Sequence, residues 1–202
     1  MRSILSFSIV LYIVLLFSCN TDKSYTITGS VPKSNFNGEY VYMIPMDKYS
    51  IGRVDSALIA DSSFVFKGKA DSAEIYILRA QKPLLRFDLQ DILVVREAGK
   101  IHAKFEERSS VGGTALNDSL QRWKENKENS DDHYFELSNK ISKADSLGKI
   151  LLSVKADSLK KANIDFHFNF AWNNRDNIVG KLVKRIMGTS FTQEQKKELG
   201  IN

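Results

Sequence analysis

The hydrophobic repeat of this chain changes once, at Val111-Gly112-Gly113-Thr114, and that change limits what the chain can fold into. Upstream, apolar and polar residues alternate. Downstream, apolar residues recur three and four positions apart. A period of two lays one face of a strand on a core, whereas a period near 3.6 lays one stripe of a helix there. The upstream part therefore reads as strands. Tyr25, Ile27 and Gly29 alternate with Thr26, Thr28 and Ser30, and the turn-rich stretch 32–38 ends that strand. Further runs follow at 40–44, 53–60, 63–68, 74–79, 84–89, 92–96 and 101–105. Asp61-Ser62 predicts a hairpin between the third and fourth runs, and Gly99-Lys100 a tight turn between the last two. About eight short strands rich in β-branched and aromatic residues imply an antiparallel β-sandwich or open barrel.

In the downstream part Leu116, Leu120 and Trp123 share one helical face. Leu137, Ile141 and Ala144 predict a second helix, which Leu147, Leu151, Val154 and Leu159 extend, with Gly148 as a weak point. The stretch 165–172 fits both periods, because Phe166, Phe168 and Phe170 alternate while Phe166 and Phe170 are also four apart. Its helical surroundings favour helix. Ile178, Leu182, Val183 and Ile186 make another amphipathic helix, with Asn174 or Asp176 as its expected cap. Thr192-Gln193-Glu194-Gln195 fits a capping box for a last helix. The fold class is α+β, a β-rich part over 24–110 followed by a bundle of amphipathic helices over 111–202. Short amphipathic helices must cover their apolar faces, which favours packing on the sheet or on one another.

The first residues carry an address. Arg2 gives a positive start, and the run 4–17 is apolar apart from Ser6 and Ser8. About 14 apolar residues are too few to span a bilayer, which takes roughly 20, but they suit a secretory signal peptide over 1–18. The only cysteine, Cys19, follows directly in Leu16-Phe17-Ser18-Cys19. This segment resembles the lipobox of bacterial lipoproteins. The resemblance implies cleavage before Cys19, diacylation of its thiol and acylation of the new amino terminus, with 19–23 as a tether. Asn20 differs from the aspartate typical of inner-membrane retention, which points to the outer membrane of the cell envelope. Removing 1–18 leaves 184 of the 202 residues, enough for one domain or a small pair. The 29 basic and 24 acidic residues are interspersed, and with Arg2 removed the net charge is +4. Mixed charges behind an export signal argue against a nucleic-acid partner.

Tyr25-Thr26-Ile27-Thr28-Gly29-Ser30-Val31, Glu39-Tyr40-Val41-Tyr42-Met43, and Val54-Asp55-Ser56-Ala57 followed by Phe64-Val65-Phe66-Lys67-Gly68 form a recognisable series. Val111 to Asp118 and Asn174 to Gly180 extend it. Together they resemble the domain of unknown function 4369 family over most of 24–199. That family usually forms the N-terminal part of lipoproteins with a C-terminal thioredoxin-like or peroxiredoxin-like domain. The resemblance implies either a free-standing version of the N-terminal part or a chain cut before the second. A thiol–disulfide role is not supported by these residues, since no CxxC occurs and exchange needs a reactive thiolate.

No catalytic constellation stands out. His102, His133 and His167 are far apart, without H-x-x-H or H-E-x-x-H spacing. Asp131-Asp132-His133 reads as a solvated helix start, and His102 as a surface position on a strand. No G-x-S-x-G occurs, and Gly112-Gly113-Thr114 lacks the lysine and length of a phosphate loop. Neither a cofactor nor a metal is implied. Asp-Ser followed by an apolar residue recurs five times, giving candidate O-glycosylation at Ser56, Ser72, Ser119, Ser146 and Ser158. The pattern resembles the acceptor of a general O-glycosylation system of some Gram-negative bacteria. The expected function is a non-catalytic, lipid-anchored envelope protein whose β-rich module, a sandwich with its helices, is presented to a protein or glycan partner. The alternative is an accessory, or a remnant N-terminal domain, of a thioredoxin-like thiol–disulfide oxidoreductase lipoprotein.

Overall fold

A computed structural model describes residues 23–32, 34–46, 54–81 and 89–201. The leader, Cys19 and most of the expected strand over 84–89 lie outside the described residues. Among the described residues eight strands form two sheets: β1 (Ser24–Ser30), β2 (Tyr40–Pro45), β3 (Asp55–Leu58), β4 (Ser63–Lys69), β5 (Glu74–Ala80), β6 (Ile92–Arg96), β7 (Gly99–Lys104) and β8 (Ser110–Gly112). The first sheet has the order β4-β1-β7-β8 and the second β3-β2-β5-β6. Four helices follow: α1 (Ala115–Lys143), α2 (Ser146–Asn173), α3 (Ile178–Met187) and α4 (Gln193–Leu199).

Alternation along the strands builds a three-layer body. Tyr25, Ile27, Val41, Met43, Phe64, Phe66, Tyr76, Leu78, Val94 and Ile101 fill the space between the sheets. Ile75 and Val95, directly paired across β5 and β6, point the other way. They pack with Leu120, Trp123, Ala171, Val179, Leu182, Val183 and Phe191. The second sheet is thus covered on both faces, and the helices close its outer side, as their apolar stripes require. The expectation of an α+β fold with a sandwich and trailing helices agrees with this architecture.

Gly29 shows how tightly the sandwich is filled. It faces Phe64 across the β1–β4 pair, and a Cβ placed on it would lie 1.9 Å from Cζ of the Phe64 ring. Phe64 also packs edge-on against Phe66, with ring centroids 5.9 Å apart. Gly29→Ala is expected to cost about 2 kcal/mol in chemical denaturation through overpacking. Phe64→Leu in the same chain should recover part of the loss, and additive losses would contradict this account.

Several expectations are corrected. The sandwich is not wholly antiparallel, because β1 and β7 pair in parallel. Asp61-Ser62 does make a two-residue turn, with φ of 49° and 57°, the positive values that a type I′ turn needs. Only Ala60 and Ser63 pair across it, however, and the chain then switches sheets. Gly99 and Lys100 begin β7 instead of forming the turn. Leu137 and Ile141 belong to the same unbroken helix as Leu116, not to a second one. The cap of α3 is Asn177, whose side chain accepts from Val179 and Gly180 N–H, and not Asn174 or Asp176. The stretch 165–172 is helical within α2, and the Thr192–Gln195 capping box is present with both reciprocal bonds.

Candidate functional site

The helical hairpin of α1 and α2 is the most distinctive part of the molecule, and its root is built around Asn117. This side chain is fully buried. Its Oδ1 accepts from Val95 N–H at 2.8 Å, and its Nδ2 donates to Val95 C=O at 2.8 Å. The amide thus pairs with the outer edge of β6 as a neighbouring strand would. Nδ2 also donates to Thr114 Oγ1 at 2.8 Å. Glu97 accepts from Leu116 N–H at 3.1 Å, and Asp118 accepts from Gly113 N–H at 2.8 Å. The glycine turn before α1 is held by side chains from both sides.

Beyond the root, α1 runs along β8 and past the end of β7. Gln121 accepts from Val111 N–H, and Lys124 donates to Ser109 C=O at 2.6 Å. Gln90 donates to Glu128 at 2.6 Å, and Arg108 pairs with Asp132. Asp131 takes Lys127 one turn back at 2.5 Å. Asp131-Asp132-His133 is therefore mid-helix, not a helix start, and its carboxylates neutralise Lys127 and Arg108. Ala144 leaves the helical conformation, and Asp145 caps α2 by accepting from Gly148 N–H at 2.8 Å. The chain returns antiparallel along α1.

His167 sits fully buried in the seam between these helices. Its Nδ1 accepts from Trp123 Nε1–H at 3.1 Å, so the proton of the neutral ring is on Nε2. Nε2 and, one turn earlier, Asn163 Oδ1 are buried without a hydrogen-bond partner among the described residues. Burial, with Lys127 nearby, pushes the imidazole pKa down to about 4, partly opposed by Asp131. The ring is neutral at physiological pH. Trp123 and Phe166 lie against it, with ring centroids at 6.0 and 5.4 Å. His167 makes no bond to a nucleophile.

Between the hairpin and the corner after α3 lies an open groove of about 850 Å³. Tyr134, Phe135, Leu159, Ile164 and Met187 give it an apolar lining, and Asn163 lies along it. Tyr134 and Phe135 are exposed, Phe135 by 68%. Exposed aromatic faces can stack on a partner.

The structure does not draw the other singled-out residues together. His102 faces outward from β7, as its alternation predicts, and His133 is exposed on α1. Among the described residues no group of three or more His, Cys, Asp or Glu side chains is placed to hold a metal. No helix among them is long and apolar enough to cross a membrane. Ser56, Ser72, Ser146 and Ser158 are exposed. Ser119 is only 7% exposed and its hydroxyl lies 3.4 Å from Asn174 Oδ1, so a sugar there would have to separate α1 from the end of α2. Sequence reasoning missed Asn117 and the groove. Asn117 carries no local sign of pairing with a strand 22 residues away.

One family match covers the sandwich and this root. Residues 25–120 match the family described as Domain of unknown function (DUF4369). This is the family that the sequence resembles. The matched DUF4369 stretch takes in both sheets and the Asn117 clamp, and ends within α1. The resemblance noted at Asn174–Gly180 lies beyond it. No curated protein and no solved structure matches the chain.

Proposed function

We propose that this is a non-catalytic lipoprotein of the bacterial cell envelope, held by lipid on Cys19 and using its helical hairpin to engage an envelope protein or glycan. The observation that carries the reading is Leu16-Phe17-Ser18-Cys19 directly after an apolar leader. Lipid on one sulfur and on the new amino terminus supplies more than one chain, which is what stable anchoring takes. The outer membrane is the proposed site, on the strength of Asn20. The groove beside Tyr134 and Phe135 supports a partner-binding role, since large exposed aromatics side by side favour recognition of another molecule. Ser56, Ser72, Ser146 and Ser158 are the accessible candidates for O-glycosylation.

Cys19→Ser is expected to move the protein from carbonate-washed membranes to the soluble fraction. Retention of the variant in the washed membranes would refute the anchor. Separately, Phe135→Ser should lower recovery of a stoichiometric partner in pull-downs from the native envelope. Equal recovery with both chains would remove the groove from the proposal.

A further inference from the structure

We propose that the outer face of the first sheet lies against the anionic phospholipid headgroups of the membrane that holds Cys19. This contact rests on the anchor read at Cys19 and adds to it which side of the molecule the membrane meets. Tyr25, Ile27, Phe64, Phe66, Ile101 and Ala103 turn into the sandwich. Alternation therefore turns Thr26, Thr28, Val65, Lys67, Lys100 and His102 outward. No strand of this sheet contains an acidic residue. Lys67, Lys69, Lys100 and Lys104 are its outward charges, and all four are exposed. Thr26 stands between Lys67 on β4 and Lys100 on β7. With neighbouring strands about 4.8 Å apart, those two lysine backbones lie about 10 Å apart. Lys69 pairs with Ser24, where the chain enters β1.

Charge and tether length together identify the occupant. At the margins of the face Glu106 pairs with Lys104 at 2.6 Å, Asp71 pairs with Lys23 at 3.3 Å, and Asp118 accepts from Gly113 N–H. Lys67, Lys69 and Lys100 have no ion-pair partner among the described residues. A second copy of the chain would set lysine against lysine across the contact. Cys19 stands five residues before Ser24. Five residues reach at most about 17 Å. Lipid on Cys19 therefore keeps the start of β1, with Lys69 beside it, within that distance of the hydrocarbon boundary. Lys67 and Lys100 are at most about 7 Å further along the strands. The headgroup layer itself takes up about 5–7 Å of the gap. Because β1 lies between β4 and β7, the tether leaves the sheet between the strands that carry these lysines. An anchored face meets its lipid at high effective concentration, whereas a soluble polyanion has to be captured from solution. Ammonium groups suit lipid phosphates as point charges, and their attraction to an anionic surface is weakened by salt. The hydroxyls of Thr26 and Thr28 can donate to the same oxygens. The acyl chains hold the protein at the membrane, and the lysines choose the face that lies on it.

The test uses the full chain produced in a bacterial host, purified and reconstituted into phosphatidylglycerol-rich or pure phosphatidylcholine vesicles. Its intact mass first reads the acyl chains on Cys19. An unacylated chain would refute the anchor, and a maleimide lipid on the same thiol would then supply the tether, so the contact is tested in either case. A brief pulse of a water-soluble amine-acetylating reagent, read lysine by lysine by mass spectrometry, reports which side is covered. On anionic vesicles Lys67, Lys69 and Lys100 are expected to react about fivefold more slowly than on phosphatidylcholine. Lys149 and Lys155, exposed on α2, should react equally on both. Raised salt should return the three lysines to the faster rate. Lys67→Gln with Lys100→Gln should do the same for Lys69, with the circular dichroism melt unchanged. Equal rates at the three lysines on both vesicle types would overturn the proposal. So would slowing at Lys149 and Lys155 in their place, which would put another side on the membrane. Slowing without vesicles as protein concentration rises would assign the face to a second copy, and slowing in native membranes alone would assign it to another envelope component; either result overturns the lipid contact.

Discussion

Asn117→Ala is expected to destabilise the protein by about 3 kcal/mol, although it removes only a short polar side chain. Two hydrogen bonds to Val95 disappear, and each neutral bond is worth about 1 kcal/mol. The larger part comes from what stays behind. Val95 is fully buried, and its N–H and C=O at the outer edge of β6 lose their partners. Leaving such groups unpaired costs about 1–3 kcal/mol each, offset where water reaches them. Asn117→Asp separates the two halves of the clamp, since a carboxylate accepts from Val95 N–H but cannot donate to Val95 C=O. Urea unfolding should rank Asn above Asp and Ala in stability, with the three midpoints well separated. Equal midpoints for Asn and Ala would show that the hairpin is held by its apolar contacts alone.

Acid should cost this protein a further amount of similar size through His167. Its pKa is about 4 when folded, against an ordinary value of 6.5. Between these values the unfolded chain binds a proton that the native state refuses, so unfolding becomes more favourable as pH falls. The contribution of His167 is fully present above pH 6.5, declines from there to pH 4, and changes no further below that. At 1.36 kcal/mol per unit the total is about 3 kcal/mol. Protonation would also put a donor on Nδ1, facing the Trp123 Nε1–H that it now accepts. His167→Gln removes this titration while keeping polar atoms in the seam. Its stability relative to the parent chain should therefore rise steadily as pH falls from 6.5 to 4. A constant difference across that range would contradict the neutral buried imidazole.

The two periodicities were enough to read strands before helices, because alternation and 3.6-residue recurrence are local properties. Sheet partition was not legible. Nothing near Asp61-Ser62 or Glu97-Ala98 states that the chain changes sheets there, since pairing is chosen by distant strands. The continuity of α1 was hidden by the polar stretch from Lys124 to His133, which breaks the apolar stripe. There the helix is carried by pairs one turn apart, Lys124 with Glu128 and Lys127 with Asp131. The apolar residues at 147, 151 and 154 do lie on a helix, but on α2, which a break at Ala144-Asp145 separates from Leu137 and Ile141, and they are exposed. Spacing says which residues share a face but not which of two faces a neighbour covers. Phe166 to Phe170 satisfied both periods, and only packing against Trp123 and α3 decides between them.

The 29 residues of α1 form one unbroken rod, about 43 Å long at 1.5 Å per residue. Asn117 clamps one end to β6, and side-chain bonds to the β-rich part continue along the rod as far as Asp132. Among the described residues the remaining turns, 133–143, lie beside α2. The projecting arm is therefore about 16 Å long, on a footing of nearly twice that length. Whatever seizes its tip works against contacts spread over both sheets and not against one clamp.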